Sequence, residues 1–331
     1  MKKIKTIKTN NFVKKIFVKV CRILGYELID QNNFEIPTLE KNALENISIA
    51  GKKSISIPLG QIDITRKVKS LNVYFRSCSK VNLWNQNKER IFEADKDEYA
   101  LRSLYSILKS INYSKKNFNE INIKLSIIDD NSSDEFIQNM KKLLSKFDID
   151  NEIISLQKNE VTQDVKDSNF ASIKKCYTLA KENSEDLIYF VEDDYIHDEI
   201  CILEMIGTYE RIATQLNREI LLCPTDYPYL YASCDPTYIF LGNKKHWRKT
   251  EQSLGTFLIS KINLNIYWKN LLQFASGEDD PAELALHKIY EKEPCFSPIP
   301  SLAIHCANIN SIYGISPNIN WQEIWDDNKI I

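Results

Sequence analysis

The sequence is poor in glycine and proline, with eight glycines and ten prolines among 331 residues. A chain with so few of these residues is neither collagen-like nor a low-complexity linker. It also lacks any uncharged run long enough to span a bilayer. Because 43% of the residues are hydrophobic and 27% are charged, we expect a globular protein with one large α/β domain or two smaller ones.

The eight cysteines include no C-x-x-C pair. Scattered cysteines in a chain of this size predict reduced, mostly buried thiols rather than a disulfide framework or a zinc site. Lysines at positions 14, 15 and 19 interrupt the apolar stretch near the N-terminus, which is not the pattern of a signal peptide. We therefore expect a cytoplasmic protein.

The formal net charge of −2 gives no support for a nucleic-acid partner. The charge is distributed unevenly, because residues 1–26 contain no acid and eight basic side chains: Lys2, Lys3, Lys5, Lys8, Lys14, Lys15, Lys19 and Arg22. The rest of the chain therefore has a net charge of about −10.

Residues 11–25 have the pattern of an amphipathic helix, and Gly25 is a plausible C-cap. A basic helix of this kind is suited to lie on an anionic membrane surface, so we predict peripheral attachment to the inner face of the membrane. The alternative is a helix packed on the domain with its lysines outward. The apolar positions are Phe12, Val13, Ile16, Phe17, Val20, Ile23 and Leu24.

Strand and helix patterns alternate from Leu71 to Asp198, which predicts an α/β fold with a doubly wound, mostly parallel sheet. Ligand sites are expected at the carboxyl edge of such a sheet. The predicted strands are 72–75, 121–128, 152–156 and 187–191, and the predicted helices are 96–111, a helix capped by Ser132 and Glu135, and 169–181.

The alternation ends after residue 199, where a helix at 200–215 precedes strands at 219–223, 237–241 and 255–260. This pattern predicts a smaller mixed or antiparallel addition to the sheet. The region is rich in aromatic residues that either stack on sugar rings or lie in the core: Tyr227, Tyr229, Tyr231 and Trp247.

Acidic residues follow two of the predicted strands. Glu192, Asp193 and Asp194 come directly after an uncharged strand, and Asp129 and Asp130 end another. Adjacent carboxylates repel one another unless a cation shares the site, and Mg²⁺ or Mn²⁺ is the simplest such cation. The structural alternatives are a solvated acidic turn for the first group and helix capping for the second.

A third acidic group, Glu278-Asp279-Asp280, precedes a predicted helix at 282–290. Asp280 is explained as its N-cap, because Pro281 follows at a position that suits the first residue of a helix. Asp279 and Glu278 are then candidates for a general base. His305 follows a short strand, where a histidine either packs in the core or completes a metal shell.

In order and spacing, these motifs resemble the inverting family 2 glycosyltransferases, which have the GT-A fold. The resemblance covers Leu71 to His305 and is seen in Asp129-Asp130-Asn131-Ser132, Glu192-Asp193-Asp194, Gly255-Thr256-Phe257, Glu278-Asp279 and His305. It implies transfer of a sugar from a nucleotide-sugar donor to a glycan or lipid-linked acceptor in cell-surface glycan synthesis. A UDP-sugar is the favoured donor.

The resemblance also implies roles for single residues. Asp130 would face the nucleotide base with Arg76 beside it, and Asp194 would hold Mn²⁺ or Mg²⁺ on the diphosphate. Asp193 would lie near the ribose or the metal, His305 would be a further ligand, and Asp279 would be the base. The metal motif is Glu-Asp-Asp rather than Asp-x-Asp, which leaves open which acid contacts the ion.

The sequence pattern and the resemblance together predict a domain division, in which residues 1–70 lie outside the resemblance. Residues 1–26 form the basic helix, 27–70 a connector and 321–331 a tail, and 71–320 form the transferase domain with a nucleotide-sugar half, 71–198, and an acceptor half, 199–320. The signature of processive polymer synthases is absent, so transfer of single sugars is expected. The competing functions are a sugar-phosphate nucleotidyltransferase and a non-catalytic cation- or carbohydrate-binding module. Against the nucleotidyltransferase, the first strand is not followed by the glycine-rich loop with Arg and Lys that would hold a triphosphate.

Overall fold

The computed structural model describes residues 11–26, 54–57, 60–79, 90–118, 120–156, 165–232, 237–307, 309 and 311–330. The chain divides into two compact units, Met1–Ile64 and Thr65–Ile331. The predicted connector lies largely outside the described residues. The second unit begins before the predicted position 71, because Arg66 donates through Nε to Glu219 at 2.7 Å and also pairs with Asp186.

The first unit contains the predicted amphipathic helix, α1 (Asn11–Ile23), and an antiparallel pair formed by β1 (Ser54–Ile57) and β2 (Gly60–Asp63). Gly25 has a φ of +81°, a conformation that glycine adopts without steric cost. The amide of Tyr26 donates to the carbonyl of Cys21 at 2.8 Å. Gly25 thus ends α1 as the sequence predicts.

The second unit begins with alternating strands and helices: β3 (Ser70–Ser77), α2 (Lys96–Lys115), β4 (Asn122–Asp129), α3 (Asp134–Leu144), β5 (Asp150–Ser155), α4 (Val165–Asn183) and β6 (Leu187–Glu192). It continues with β7 (Tyr195–His197), α5 (Cys201–Leu216), β8 (Leu221–Leu222), β9 (Ile239–Leu241), β10 (His246–Thr250), β11 (Phe257–Ser260), α6 (Lys261–Ile266), α7 (Trp268–Phe274), α8 (Leu284–Tyr290), β12 (Cys295–Ile299), β13 (Ala303–His305) and α9 (Trp321–Asp327).

In the described part of the chain, nine strands form one sheet in the order β5-β4-β3-β6-β11-β8-β12-β10-β9. Strands β5, β4, β3 and β6 are parallel to one another. Strand β11 is antiparallel to β6 and β8, β12 is parallel to β8, and β10 and β9 are antiparallel additions. The predicted α/β class, with a parallel half and a mixed C-terminal half, is confirmed.

Helices cover both faces of the parallel half. Side chains alternate between the faces of a strand, so Phe190 and Tyr189 of β6 point in opposite directions. Phe190 packs against Tyr177 of α4, with ring centroids 4.6 Å apart. The Tyr189 hydroxyl contacts His197, and His197 in turn contacts Ser106 of α2. Strand β6 is therefore buried on both faces, which agrees with its uncharged sequence, because strands of a parallel sheet are covered on both sides.

Two features bring later parts of the chain against this core. Strand β13 pairs antiparallel with β7 and sets His305 opposite Tyr195. The predicted tail contains α9, whose Trp325 stacks on Phe92 at 4.2 Å between centroids and lies under the guanidinium of Arg102. Residues 321–327 are thus part of the folded unit rather than a tail. None of the described helices is long and apolar enough to cross a membrane.

The structure corrects two predicted boundaries and decides the location of Trp247. Strand β3 continues through Arg76, which the sequence pattern assigned to a loop, because Arg76 pairs in register with Glu192. The N-cap of α3 is Ser133, whose hydroxyl accepts from the amide of Phe136, rather than Ser132. Trp247 is fully buried in β10, so it packs in the core and does not stack on a sugar ring.

Candidate active site

The carboxyl ends of β3 and β6 meet near the middle of the sheet. The chain runs from β3 outward to β4 and β5 and then returns to β6 on the other side of β3. The connections therefore diverge between β3 and β6, and this divergence leaves a crevice at their carboxyl ends. The residues that end these two strands, together with the loops that follow, form the candidate active site.

Arg76 and Glu192 face each other at this crevice. Arg76 Nη2 donates to Glu192 Oε1 at 2.6 Å. Arg76 Nη1 donates to Asn169 Oδ1 at 2.9 Å and to Ser172 Oγ at 3.0 Å, so the guanidinium is held from two sides. Burial raises the pKa of the Glu192 carboxyl, Arg76 opposes this effect, and the negative charge of Asp194 adds to it.

Asp193 joins the loop after β3 to the turn after β6. Its Oδ2 atom accepts from the backbone amide of Cys78 at 2.9 Å and lies 3.8 Å from Nζ of Lys96. Burial raises the pKa of the Asp193 carboxyl, Lys96 lowers it and Asp194 raises it further. Lys96 was not singled out from the sequence, where it read only as the start of a helix.

Asp194 and His305 come together because β13 pairs with β7. The amide of Cys306 donates to the carbonyl of Asp194 at 2.9 Å, and His305 Nε2 lies 3.4 Å from Asp194 Oδ2. His305 Nδ1 is 2.9 Å from the carbonyl of Tyr313, which can only accept, so Nδ1 bears a hydrogen. Burial lowers the pKa of His305, but Asp194, the Tyr313 carbonyl and Glu192 together raise this pKa above its ordinary value.

Gly255 and Thr256 are fitted against Glu192. A Cβ atom on Gly255 would lie 3.0 Å from the Glu192 carboxyl carbon, and the Thr256 hydroxyl accepts from the Glu192 amide at 3.1 Å. This contact explains a small residue at the start of the predicted Gly255-Thr256-Phe257 motif. A larger side chain there would displace the carboxylate that Arg76 holds.

Asp129 and Asp130 are buried at the end of β4. Asp129 accepts from the Ser77 hydroxyl at 3.1 Å and from the Ser132 amide at 3.2 Å, so it holds the loop before α3, whose N-cap is Ser133 rather than Asp129. Asp130 Oδ2 accepts a short hydrogen bond from the Ser168 hydroxyl. The acids at the ends of β4 and β6 are thus on one edge of the sheet, as predicted.

The acidic group after α7 is arranged differently from the sequence prediction. Helix α8 begins at Leu284 with Glu283 at its N-cap, so Asp280 does not cap it. Asp279 Oδ1 accepts from Gln273 Nε2 at 3.2 Å, and Asp279 Oδ2 lies 3.3 Å from Nζ of Lys288. Glu278 is exposed. Both carboxylate oxygens of the predicted base are thus engaged by neighbouring helices.

Glu283 is a further acid in this segment, and its charge affects Glu192. Burial is the main cause of the raised pKa of Glu192 and of the Tyr313 hydroxyl, and the charge of Glu283 contributes to both. The half-buried Glu283 therefore lies within Coulombic range of the crevice. The sequence pattern concealed it, because a glutamate after Asp-Pro-Ala reads as part of a helix cap.

Two residues of the site suit a hard divalent cation. Asp194 and His305 provide a carboxylate and an imidazole nitrogen within 3.4 Å of each other. Glu192 fits poorly, because Arg76 occupies one of its oxygens, and Asp193 is bound to Cys78 and close to Lys96. Among the described residues, no group of three or more acidic, histidine or cysteine side chains is placed to hold an ion. An ion here would therefore need oxygen ligands from substrate or water.

No family model matches the sequence, and no curated protein sequence matches it. Solved structures do resemble it. TarS of S. aureus in complex with UDP is 13% identical, with a TM-score of 0.42 and coverage of 69% of this chain. UDP-glucose pyrophosphorylase complexed with UDP-glucose is 8% identical (TM-score 0.37, 72% coverage), and the bifunctional glycosyltransferase WbbM is 11% identical (TM-score 0.35, 68% coverage).

This chain matches only part of most of these proteins. It spans 35% of one TarS chain, 57% of the shorter TarS chain with UDP, 93% of the pyrophosphorylase and 37% of WbbM. Its fold is established by its own strands, and its function is inferred from its own side chains.

Proposed function

We propose that the protein is a glycosyltransferase that moves a single sugar from a nucleotide-diphosphate sugar to a hydroxyl of a glycan or lipid-linked acceptor. A UDP-sugar is the first donor to test. The observation that supports this proposal is the alternation of acids and cations at the β3–β6 crevice, where nucleotides bind in doubly wound sheets. The pairs are Arg76 with Glu192, Lys96 with Asp193 and His305 with Asp194.

The donor diphosphate would enter this crevice, and its negative charge would be met by basic groups already in place. Arg76 lies near the end of β3 and pairs with Glu192, and Lys96 begins α2 and lies 3.8 Å from Asp193 in the turn after β6. Asp130 is the candidate for the nucleotide base, with Ser168 holding one of its oxygens. Asp129 would support this loop rather than touch the donor.

Asp194 and His305 would hold Mn²⁺ or Mg²⁺. Such ions take one or two protein carboxylates and complete their shells with phosphate and water oxygens. When bound, the ion would supply positive charge that stabilises the departing diphosphate. Glu192 would contribute by positioning Arg76, and Asp193 by fixing the loop after β3.

Two carboxylates compete for the role of general base toward the acceptor hydroxyl. Asp279 is the candidate from the sequence, with Glu278 beside it, and Lys288 must release Asp279 before it can take a proton. Glu283 forms no ion pair with another described residue, and its negative charge contributes to the raised pKa of Glu192, so we favour Glu283. In either case a deprotonated hydroxyl that attacks from the side opposite the diphosphate would invert the anomeric carbon.

Calorimetric binding of UDP, GDP, CMP and dTDP, with and without Mn²⁺, tests the proposal. One nucleoside diphosphate should bind the wild-type protein in the presence of Mn²⁺, and Asp194→Ala should weaken that binding at least tenfold. Asp148→Ala is the matched control, because this fully exposed acid precedes β5 at the opposite edge of the sheet. Failure of every nucleotide to bind folded protein would refute the proposal, and metal-independent binding would refute the role of the ion.

The two competing functions give different results in the same preparation. A nucleotidyltransferase would form a nucleoside triphosphate from the bound nucleotide-sugar and pyrophosphate, whereas a glycosyltransferase would not. A binding module would retain its function after both Glu283→Gln and Asp279→Asn. The proposed transferase would lose turnover in at least one of these variants while it still bound the nucleotide.

A further inference from the structure

Helix α1 has two chemically distinct faces. At about 100° per residue, seven apolar side chains, six of them in α1 and Leu24 directly after it, fall within an arc of about 140°, whereas Val18 and Cys21 lie outside that arc. Lys15, Lys19 and Arg22 fall on the remaining part of the circumference. The seven apolar side chains on this arc, which we call the α1 apolar face, are Phe12, Val13, Ile16, Phe17, Val20, Ile23 and Leu24.

The α1 apolar face is exposed. Its members have between 46% and 77% of their surface accessible, and Tyr26 just beyond the helix is 70% exposed. Single exposed apolar side chains are common on proteins, but six on one face of a 13-residue helix, with Leu24 directly after it, form a contiguous patch. Patches of this kind mark binding surfaces for proteins or membranes.

The width of the face and the charges beside it identify the kind of partner. A two-stranded coiled coil needs only a narrow seam of two apolar positions in seven, whereas this face is wider. A protein groove would need acids to match the three described basic side chains. An anionic bilayer supplies both an apolar layer for the wide face and negative headgroups for Lys15, Lys19 and Arg22.

We propose that α1 lies in the headgroup region of an anionic membrane, with the α1 apolar face toward the acyl chains. The helix is about 20 Å long, too short to span a bilayer but suited to lie along its surface. Tyr26 would then sit at the boundary where aromatic rings with a polar tip concentrate. This proposal does not depend on the proposed transferase activity, although it would place the protein beside lipid-linked acceptors.

Cosedimentation of the full chain with vesicles tests this proposal. The protein should bind vesicles of phosphatidylcholine with about 30% phosphatidylglycerol, and its affinity for phosphatidylcholine alone should be at least tenfold lower. Raising the salt concentration from about 0.1 M to about 0.5 M should weaken binding several-fold. The single variant Ile16→Glu should weaken vesicle binding at least tenfold. The double variant with Lys15→Glu and Lys19→Glu should also weaken it at least tenfold.

A matched control is available outside the helix. Ile262 in α6 is 55% exposed, compared with 50% for Ile16, so Ile262→Glu makes the same change to an equally exposed isoleucine. This variant should bind vesicles as the wild type does. The proposal is overturned if the wild type binds neither kind of vesicle, or if Ile16→Glu and Ile262→Glu bind vesicles equally well. It is also overturned if the wild type is a dimer that does not bind vesicles and Ile16→Glu dissociates this dimer.

Discussion

Arg76 and Glu192 are register partners on adjacent parallel strands, and their side chains form an ion pair of 2.6 Å at the carboxyl edge of the sheet. Arg76 retains 13% of its side-chain exposure and Glu192 27%. A pair this deep is weak evidence for stability, because the charges lose hydration as they gain attraction. Removal of one partner is costly, because the other charge then stays buried without its counterion.

We expect Arg76→Met to lower the free energy of unfolding by about 2–3 kcal/mol, since Glu192 would lose its cation in a partly buried site. Urea denaturation would show this as a lower midpoint with an unchanged slope. Arg218→Met is the control, because Arg218 pairs with Glu293 but is 46% exposed. We expect its cost to be below about 1 kcal/mol. Equal losses in the two variants would show that the Arg76 pair has no special stabilising role.

For the general base, we expect Glu283→Gln to reduce sugar transfer by at least about 100-fold and Asp279→Asn to reduce it only a few-fold. The reason is that Lys288 and Gln273 already engage Asp279, whereas the charge of Glu283 reaches Glu192. The measurement is release of the nucleoside diphosphate in the presence of an acceptor, alongside calorimetric affinity for the nucleotide. The opposite order of effects would return the role of base to Asp279.

His197 should make the protein less stable in acid. Its ring lies between the Tyr189 hydroxyl and the Ser106 hydroxyl, and burial lowers its pKa from 6.5 to about 3. Below pH 6.5 the unfolded chain binds a proton that the folded chain does not, so stability falls as the pH falls toward 3. Between pH 6.5 and pH 5, this histidine should remove about 1.5 kcal/mol.

Urea denaturation of His197→Asn at these two pH values would measure that contribution. We expect the variant to be less stable than the wild type at pH 6.5, because it loses the two contacts of the ring, but to lose about 1.5 kcal/mol less on acidification. His246→Asn, at an exposed position, should retain the pH dependence of the wild type. A constant difference between His197→Asn and the wild type would contradict the prediction.

The parallel half of the sheet was predictable because its sequence pattern is local. Alternating apolar strands and amphipathic helices specify their own type, and the uncharged run before Glu192 indicates a strand buried on both faces. The acids of the site were therefore found as the residues that end strands. The position of Arg76 was missed because a charged residue after an apolar run reads as a loop, and its partner lies 116 residues away.

The C-terminal half was less predictable because long-range pairing decides it. Strands β7 and β13 are three residues long and form only against each other, yet they create the contact of Asp194 with His305. The sequence left open whether Trp247 contacts a ligand or lies in the core, and its indole nitrogen donates to the buried carboxylate of Glu204 at 3.2 Å. Local patterns do not record such distant partners.

The hydrogen bond from the amide of Cys78 to Asp193 places a cysteine thiol beside the crevice, where its reactivity can report on ligand binding. Five of the seven described cysteines are buried, and Cys78 and Cys21 are the two that are half-buried. We expect the rate at which a thiol reagent alkylates Cys78 to change when a ligand contacts the loop that Asp193 holds. Protection of this one thiol by successive nucleotides would rank donor candidates by mass spectrometry without any knowledge of the acceptor.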